Sequence, residues 1–252
     1  SPCVREEEFD EEDAEECNAE DSTLFRSLTM RAAYLSLDRP DLSYAVRRLS
    51  RWMARPNAGA IKMLKRLGRY LLHAPRLVLN FPWTSKAAVV LKIFTDADYA
   101  GCKSTRKSSS GFTAMLGGCL IKFSSKSQSV ISLSTSESEF YALVSAVASG
   151  IGLKQLASDM GLVLEVEVLA DATSAILMAT RQGLGRAKHV CVGYLWIQDV
   201  FRSKQALLGK VGTDDNCADL GTKPLTAEKV RDLTIRCGCS FADGRHRLAL
   251  EV

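Results

Sequence analysis

The chain has 252 residues, of which 46% are hydrophobic and 25% are charged, proportions typical of a globular protein with a sizeable core. No apolar run reaches the roughly 18 residues that span a bilayer. The eight cysteines contain no CxxC pair, which excludes zinc-finger spacing and, without a secretory signal, indicates a reducing compartment.

The net charge of +4 conceals two regions of opposite sign. Residues 1–22 contain eleven acidic residues and one basic residue, whereas residues 23–252 contain 32 basic and 18 acidic residues. Because residues 1–22 have few apolar side chains to bury, we predict an acidic disordered leader there. The basic remainder favours a polyanionic partner, since neutralised phosphates release counterions.

A small helical segment is predicted over residues 23–86. Apolar residues recur at helical spacing in three stretches: Leu24, Leu28, Tyr34 and Leu35; Leu42, Ala45, Val46 and Leu49; Ile61, Leu64, Leu67, Tyr70 and Leu71. Pro40 breaks the first stretch, and Asp41 is a suitable N-cap for the second. The other face of the third stretch carries basic residues, which either face solvent or contact a nucleic-acid backbone.

From about residue 88, β-rich segments alternate with helical ones. A strand ending at Asp96 precedes a hairpin over 109–124 that turns at Gly117-Gly118. Ser134-Thr135-Ser136-Glu137 resembles a capping box before a helix. Later segments predict a strand over 165–170, helices over 172–182 and 188–204, a strand over 206–211 and a helix from 216 or 226. This order predicts an α/β domain over 87–236, with a mixed five-stranded sheet flanked by helices, before a tail over 237–252.

Four acidic residues lie where this pattern places strand ends or helix starts: Asp96, Glu139, Asp171 and Asp219. Side chains at the carboxyl ends of strands project into a common crevice, where several carboxylates repel one another unless cations neutralise them. Oxygen ligands suit Mg²⁺ or Mn²⁺, and two such ions roughly 4 Å apart can hydrolyse a phosphodiester. Each acid alone also has an ordinary explanation as a turn, capping or surface residue.

Six motifs occur in one order along the chain: TDADYAG (95–101), STRKSSSGFTAMLGG (104–118), SSKSQSVISLSTSESEFYA (124–142), ADATSAI (170–176), AKHV (187–190) and ADLGTKPL (218–225). Together they closely resemble the ribonuclease H domain of copia-type retrotransposon Pol polyproteins. Upstream, YLSLDRPDLSYAVRRLSRWMAR (34–55) and IKMLKRLGRYLL (61–72) resemble the end of the reverse transcriptase in the same family. The resemblance covers about residues 23–235.

The resemblance implies a ribonuclease H-like fold and an enzyme that cuts the RNA strand of RNA–DNA hybrids. It implies that Asp96, Glu139, Asp171 and Asp219 are catalytic and hold two Mg²⁺ or Mn²⁺ ions. Glu139 fits better than Glu137, because the family's acid directly precedes an aromatic or apolar residue. The implied partners are the hybrid and the upstream reverse transcriptase, with no membrane. The implied location is intracellular, either cytoplasmic in a virus-like particle or nuclear.

The order of the acids supports ribonuclease H over integrases, whose catalytic Glu comes last, because Glu139 lies between the first two aspartates. No Tyr-x-Asp-Asp occurs, so we predict no polymerase activity.

His189 could donate a proton to the leaving group or cap a helix. The family usually has Asn at Ala172 and Asp at Cys191. These departures keep open an inactive nucleic-acid-binding or scaffold remnant of a retroelement.

Overall fold

The computed structural model describes residues 1–3, 15–82, 89–185 and 188–244. The chain forms two compact units, one of Ser1–Asn80 with Pro224–Val252 and one of Phe81–Lys223. Each unit buries a separate hydrophobic core. Residues 224–244 therefore group by their contacts with the first unit, whereas the sequence predicted that the domain beginning at 87 continues to 236.

Three helices build most of the first unit: α1 (Ala19–Leu35), α2 (Ser43–Ser50) and α3 (Ala58–His73). They correspond to the three predicted apolar stretches, and Phe25, Leu49 and Leu67 are fully buried between them. The predicted disorder of the leader is wrong for its last residues. Asn18 caps α1 by accepting a hydrogen bond from the Asp21 backbone N–H at 2.8 Å, and acidic residues in the first turn suit the helix dipole. Residues 4–14 lie outside the described residues.

Asp41 is not the N-cap that the sequence suggests. It lies in the short 3₁₀ turn Pro40–Leu42, and the cap position of α2 is Leu42. Its buried carboxylate accepts hydrogen bonds from Arg39 at 2.9 and 2.7 Å and from the Tyr70 hydroxyl at 2.7 Å. The acid therefore ties two segments of the first unit together, because a buried charge needs such partners.

The first unit also contains a two-stranded sheet. Strand β1 (Arg76–Leu79) pairs antiparallel with a strand at Cys239–Ala242, which follows a helix at Ala227–Arg236 capped by Thr226. The cap confirms the later of the two predicted helix starts. The predicted tail over 237–252 thus contains a strand, and its residues 245–252 lie outside the described residues.

The second unit is built on a five-stranded mixed sheet of β2 (Val90–Asp98), β3 (Ser109–Leu116), β4 (Cys119–Ser127), β5 (Glu165–Ala170) and β6 (Leu207–Lys210). The spatial order is β4-β3-β2-β5-β6. The pairs β4-β3 and β3-β2 are antiparallel, whereas β2-β5 and β5-β6 are parallel. Gly117 and Gly118 turn the β3-β4 hairpin with φ of 60° and 83°, a conformation that glycine adopts without strain. The α/β fold predicted from the sequence is confirmed.

Three helices flank this sheet: α4 (Thr135–Asp159), α5 (Thr173–Thr180) and α6 (Trp196–Arg202). The helix predicted over 188–204 is therefore shorter than expected and follows a 3₁₀ turn at Val192–Leu195. Among the described residues, α4 is long and apolar enough to cross a membrane by length and composition alone, although no such run was expected. Phe140, Leu143 and Val147 of α4 are fully buried in the core of the unit, which accounts for its apolar character.

Candidate metal centre

Asp96, Glu139 and Asp171 converge at one edge of the five-stranded sheet. Strands β2 and β5 run parallel, and Thr95 of β2 pairs with Ala170 of β5. Asp96 and Asp171 are the next residues along the chain, so both lie at the same edge of the sheet. Glu139 reaches the same edge from the N-terminal part of α4, where the nearby Ala97 backbone amide partly offsets the rise in its pKa. One oxygen of each carboxylate lies within 4.8 Å of the others.

The electrostatics of this cluster disfavour negative charge. Burial, together with the nearby Asp219 carboxylate, raises the pKa of Asp96 to about 7. Burial and the charges of Asp96 and Asp171 raise the pKa of Glu139 to about 9. Buried carboxylates that repel one another are stabilised in their charged form by a bound cation.

Asp219 lies beside Asp96 but outside the group of three. It belongs to the 3₁₀ turn Cys217–Gly221, and burial raises its pKa. The ammonium of Lys223 lies 2.9 Å from Asp219 Oδ1 and 3.6 Å from Asp96 Oδ2. The Thr222 hydroxyl donates a hydrogen bond to Asp96 Oδ2. Burial opposes the charge of Lys223, but the carboxylates of Asp96 and Asp219 outweigh it and raise the pKa of the ammonium.

The turn that carries Asp219 is held against the sheet by short contacts. The Asn216 amide donates a hydrogen bond to the Thr95 carbonyl at 2.9 Å, and the Ser125 hydroxyl donates one to the Gly221 carbonyl. A Cβ on Gly111 would lie 2.7 Å from the Ala218 carbonyl oxygen, so only glycine at this position allows the turn to approach β3 this closely. Sequence reasoning missed Thr222 and Lys223, although both stand in the ADLGTKPL motif.

Glu137 and His189 form a separate network. The buried Glu137 carboxylate accepts hydrogen bonds from the Tyr141 hydroxyl at 2.6 Å and the Leu133 backbone N–H at 2.9 Å, and its Oε2 lies 2.8 Å from His189 Nε2. Burial opposes ionisation of Glu137, but these bonds hold its pKa below the ordinary value. The capping box is only half formed, because Ser134 caps α4 while Glu137 bonds elsewhere. The sequence suggested that His189 donates a proton to the leaving group or caps a helix. Its contact with Glu137 shows neither of these roles.

The donor chemistry of the centre fits a divalent cation. Three carboxylates supply hard oxygen ligands, which Mg²⁺ and Mn²⁺ prefer, and their mutual repulsion is the feature that a cation relieves. The structure brings together Asp96, Glu139 and Asp171 and places Asp219 beside Asp96. The catalytic role of all four residues remains a prediction.

The order and directions of the five strands are those of the ribonuclease H-like sheet that the motifs implied. Among solved structures, LC11-RNase H1 in complex with RNA/DNA hybrid is similar, with 16% identity, a TM-score of 0.37 and coverage of 52% of this chain and 93% of that one. No protein-family model matches the chain.

Two plant transposon proteins are similar over most of the chain. The retrovirus-related Pol polyprotein from transposon RE1 of Arabidopsis thaliana is 29% identical over 221 residues, 86% of this chain. The corresponding polyprotein from transposon TNT 1-94 of Nicotiana tabacum is 34% identical over 193 residues, 76% of this chain. This chain is thus a homologue of the Pol polyproteins of copia-type retrotransposons, which confirms the resemblance of its motifs. It spans 15% and 14% of the length of these two relatives.

Proposed function

We propose that this chain is the ribonuclease H part of a retrotransposon Pol polyprotein and cleaves the RNA strand of RNA–DNA hybrids with divalent metal ions. It would act on the hybrid that the linked reverse transcriptase portion produces, inside the cell. The observation that carries the proposal is the convergence of Asp96, Glu139 and Asp171 within 4.8 Å, from three separate elements of the fold. Such a cluster is costly without a cation, and its donors suit Mg²⁺ or Mn²⁺.

In this mechanism the carboxylates of Asp96, Glu139 and Asp171 would hold one ion, and Asp96 with Asp219 would hold the other. Bound divalent ions supply an activated water and stabilise the charge that develops on a phosphodiester. The Thr222 hydroxyl fixes the Asp96 carboxylate by donating to Oδ2. The position of Asp219 depends on the turn that Asn216 anchors to the Thr95 carbonyl.

Exposed basic residues of the second unit are suited to hold the substrate. Lys103 and Arg106 lie in the loop between β2 and β3, and Lys122 and Lys126 lie on β4. These side chains would contact phosphates of the hybrid largely without sequence preference, because backbone contacts carry no base information. The 2′-hydroxyl would distinguish the RNA strand.

The test is cleavage of a labelled RNA–DNA hybrid by the purified chain in Mg²⁺ or Mn²⁺, with EDTA as the metal-free control. We expect Asp96→Asn to lower the rate by at least about a hundredfold, because a shared ligand of both ions loses its charge. The exposed Asp199→Asn on α6 serves as the matched control and should cut at the wild-type rate. Equal cleavage by Asp96→Asn and wild type would refute the site assignment. Hybrid binding without turnover would favour a non-catalytic module.

A further inference from the structure

Lys223 brings a positive charge into the acidic centre. Its ammonium lies 2.9 Å from Asp219 Oδ1 and 3.6 Å from Asp96 Oδ2. These distances put it between two carboxylates that the proposed function assigns to one of the two ions. The side chain is 35% exposed, whereas the side chains of Asp96 and Asp219 are 3% and 5% exposed. The side chain of Lys223 is therefore by far the most exposed of the three.

The four acids are consequently divided into two unequal groups. Ligand oxygens of Asp96, Glu139 and Asp171 lie within 4.8 Å of one another, close enough for one cation to contact all three. The Asp219 carboxylate is instead engaged by Lys223, four residues later in the chain. Three of the acids thus face one another, whereas the carboxylate of Asp219 faces an ammonium group of the protein itself.

We propose, on the basis of the proposed function, that Lys223 is a built-in counter-ion that occupies the second cation position until a divalent ion displaces it. An ammonium and a divalent cation cannot both lie within about 4 Å of the same two carboxylates without strong repulsion. The lysine stem is flexible and its end is compact, so it can leave the position by rotating towards solvent. The two ions therefore bind in unequal steps, and the second step includes the cost of breaking the contacts of Lys223 with Asp219 and Asp96.

The experiment measures binding of Mn²⁺ to the full chain without nucleic acid, by calorimetry and by the loss of the free-ion electron paramagnetic resonance signal. In the wild type we expect one ion to bind at least about tenfold more tightly than the second. In Lys223→Met the second step should tighten by about tenfold or more, and the first step by a clearly smaller factor. Lys92→Met, an exposed lysine on β2, the strand that carries Asp96, is the matched control and should bind both ions as the wild type does.

Stability without metal gives a second readout. The metal-free melting temperature should fall in Lys223→Met, because the carboxylates lose their counter-ion, and the difference from the wild type should shrink at saturating Mn²⁺. Lys223→Arg retains the positive charge, so the second Mn²⁺ ion should bind to it as weakly as to the wild type. If Lys223→Met does not fold without metal, Lys223→Gln decides the question, because it removes the charge but keeps a hydrogen-bond donor for Asp219, and its second step should also tighten.

The outcomes separate this inference from the proposed function. Equal affinities for the two ions in the wild type, or an unchanged second step in folded Lys223→Met or Lys223→Gln, would overturn the role of Lys223 and leave the proposed function intact. Absence of any Mn²⁺ binding to the wild type at millimolar concentrations would overturn the proposed function itself. Weaker hybrid binding by Lys223→Met with unchanged ion binding would assign the lysine to phosphate contact and reject the counter-ion role.

Discussion

At Asp96, burial and repulsion give the stability of the metal-free protein a predictable dependence on pH. The pKa of this group rises from 3.8 to about 7 on folding. A raised pKa means that the folded state favours the protonated acid, so this contribution to stability is fully present below about pH 4 and is lost as the pH rises through 7. In EDTA, we expect Asp96→Asn to be more stable than the wild type by about 2 to 4 kcal/mol at pH 8 and by much less at pH 4.

Urea unfolding of both proteins in EDTA at a series of pH values checks this expectation. Asp199→Asn, which removes an exposed acid on α6, should follow the wild-type curve at every pH. Mg²⁺ at pH 8 should stabilise the wild type and narrow its difference from Asp96→Asn, because the cation relieves the same repulsion. If the difference in unfolding free energy between Asp96→Asn and the wild type does not grow from pH 4 to pH 8, folding does not raise the pKa of Asp96.

Glu137 and Glu139 are two residues apart but have opposite surroundings. Glu139 lies among like charges, whereas Glu137 is held by Tyr141, His189 and the Leu133 backbone N–H. We therefore expect Glu139→Gln to abolish cleavage and to stabilise the metal-free fold. Glu137→Gln should instead lower the free energy of unfolding by about 1 to 3 kcal/mol, because hydrogen bonds to a charged acceptor are weakened. Thermal unfolding with and without Mg²⁺ measures the melting temperatures of both variants. Equal changes in melting temperature for the two variants would contradict this expectation.

The sequence indicated Asp96, Glu139 and Asp171, which the structure brings together, because each stands in a motif and at a predicted strand end or helix start. The sequence did not indicate Lys223, because spacing places a side chain on an element and does not reveal that its ammonium contacts two buried carboxylates. The same limit explains Asp41, whose sequence context suits a helix cap but whose carboxylate is buried with Arg39 and Tyr70. Such contacts arise only when separate segments pack together.

At the scale of elements, the centre depends on how closely the turn Cys217–Gly221 approaches β3. Gly111→Ala would place a Cβ 2.7 Å from the Ala218 carbonyl oxygen and 2.8 Å from Thr222 Cγ2. Because the nearest atom belongs to the backbone, the turn must move, and with it Asp219. We expect a loss of about 1 to 3 kcal/mol in stability. The larger effect should be a much smaller increase in melting temperature on adding Mg²⁺.

Gly152→Ala is the control for this variant. A Cβ at this position on α4 meets no atom within 4 Å, so the substitution should leave the Mg²⁺ response unchanged and stabilise the helix by up to about 1 kcal/mol. Differential scanning calorimetry with and without Mg²⁺ compares the two variants. A normal Mg²⁺ response in Gly111→Ala would mean that the approach of the turn to β3 does not determine the site.

For the whole molecule, local patterns predicted the order of the elements but not their grouping. The order β-β-β-α-β-α-α-β-α and the turn at Gly117-Gly118 follow from periodicity and turn chemistry, which act over a few residues. The pairing of the C-terminal segment with β1 does not follow from such local signals. The strand Cys239–Ala242 pairs with β1 across about 160 residues of chain, a contact set by backbone hydrogen bonds that any extended segment can make. Nothing in the composition of residues 237–252 indicated this partner.

The division into two units leads to a test of independence for the second one. The segment Phe81–Lys223 contains all five strands of the mixed sheet, the predicted acids and Lys223. Its core is formed by residues of that segment, including Ile93, Phe140, Val168 and Ile197. A domain with its own core can fold alone. We expect a fragment of residues 81–223 to unfold cooperatively and to be stabilised by Mg²⁺, with a lower unfolding free energy than the full chain.

Circular dichroism, urea unfolding and Mg²⁺ titration of this fragment provide the measurement. A fragment of residues 81–236, which ends where the sequence predicted the domain to end, is the matched comparison. Because the helix Ala227–Arg236 packs within the first unit, the added residues should contribute little to the unfolding free energy or to the Mg²⁺ response of the fragment. If only the longer fragment folds, the boundary predicted from the sequence is the physical one, and the contacts of the last helix with the first unit are secondary.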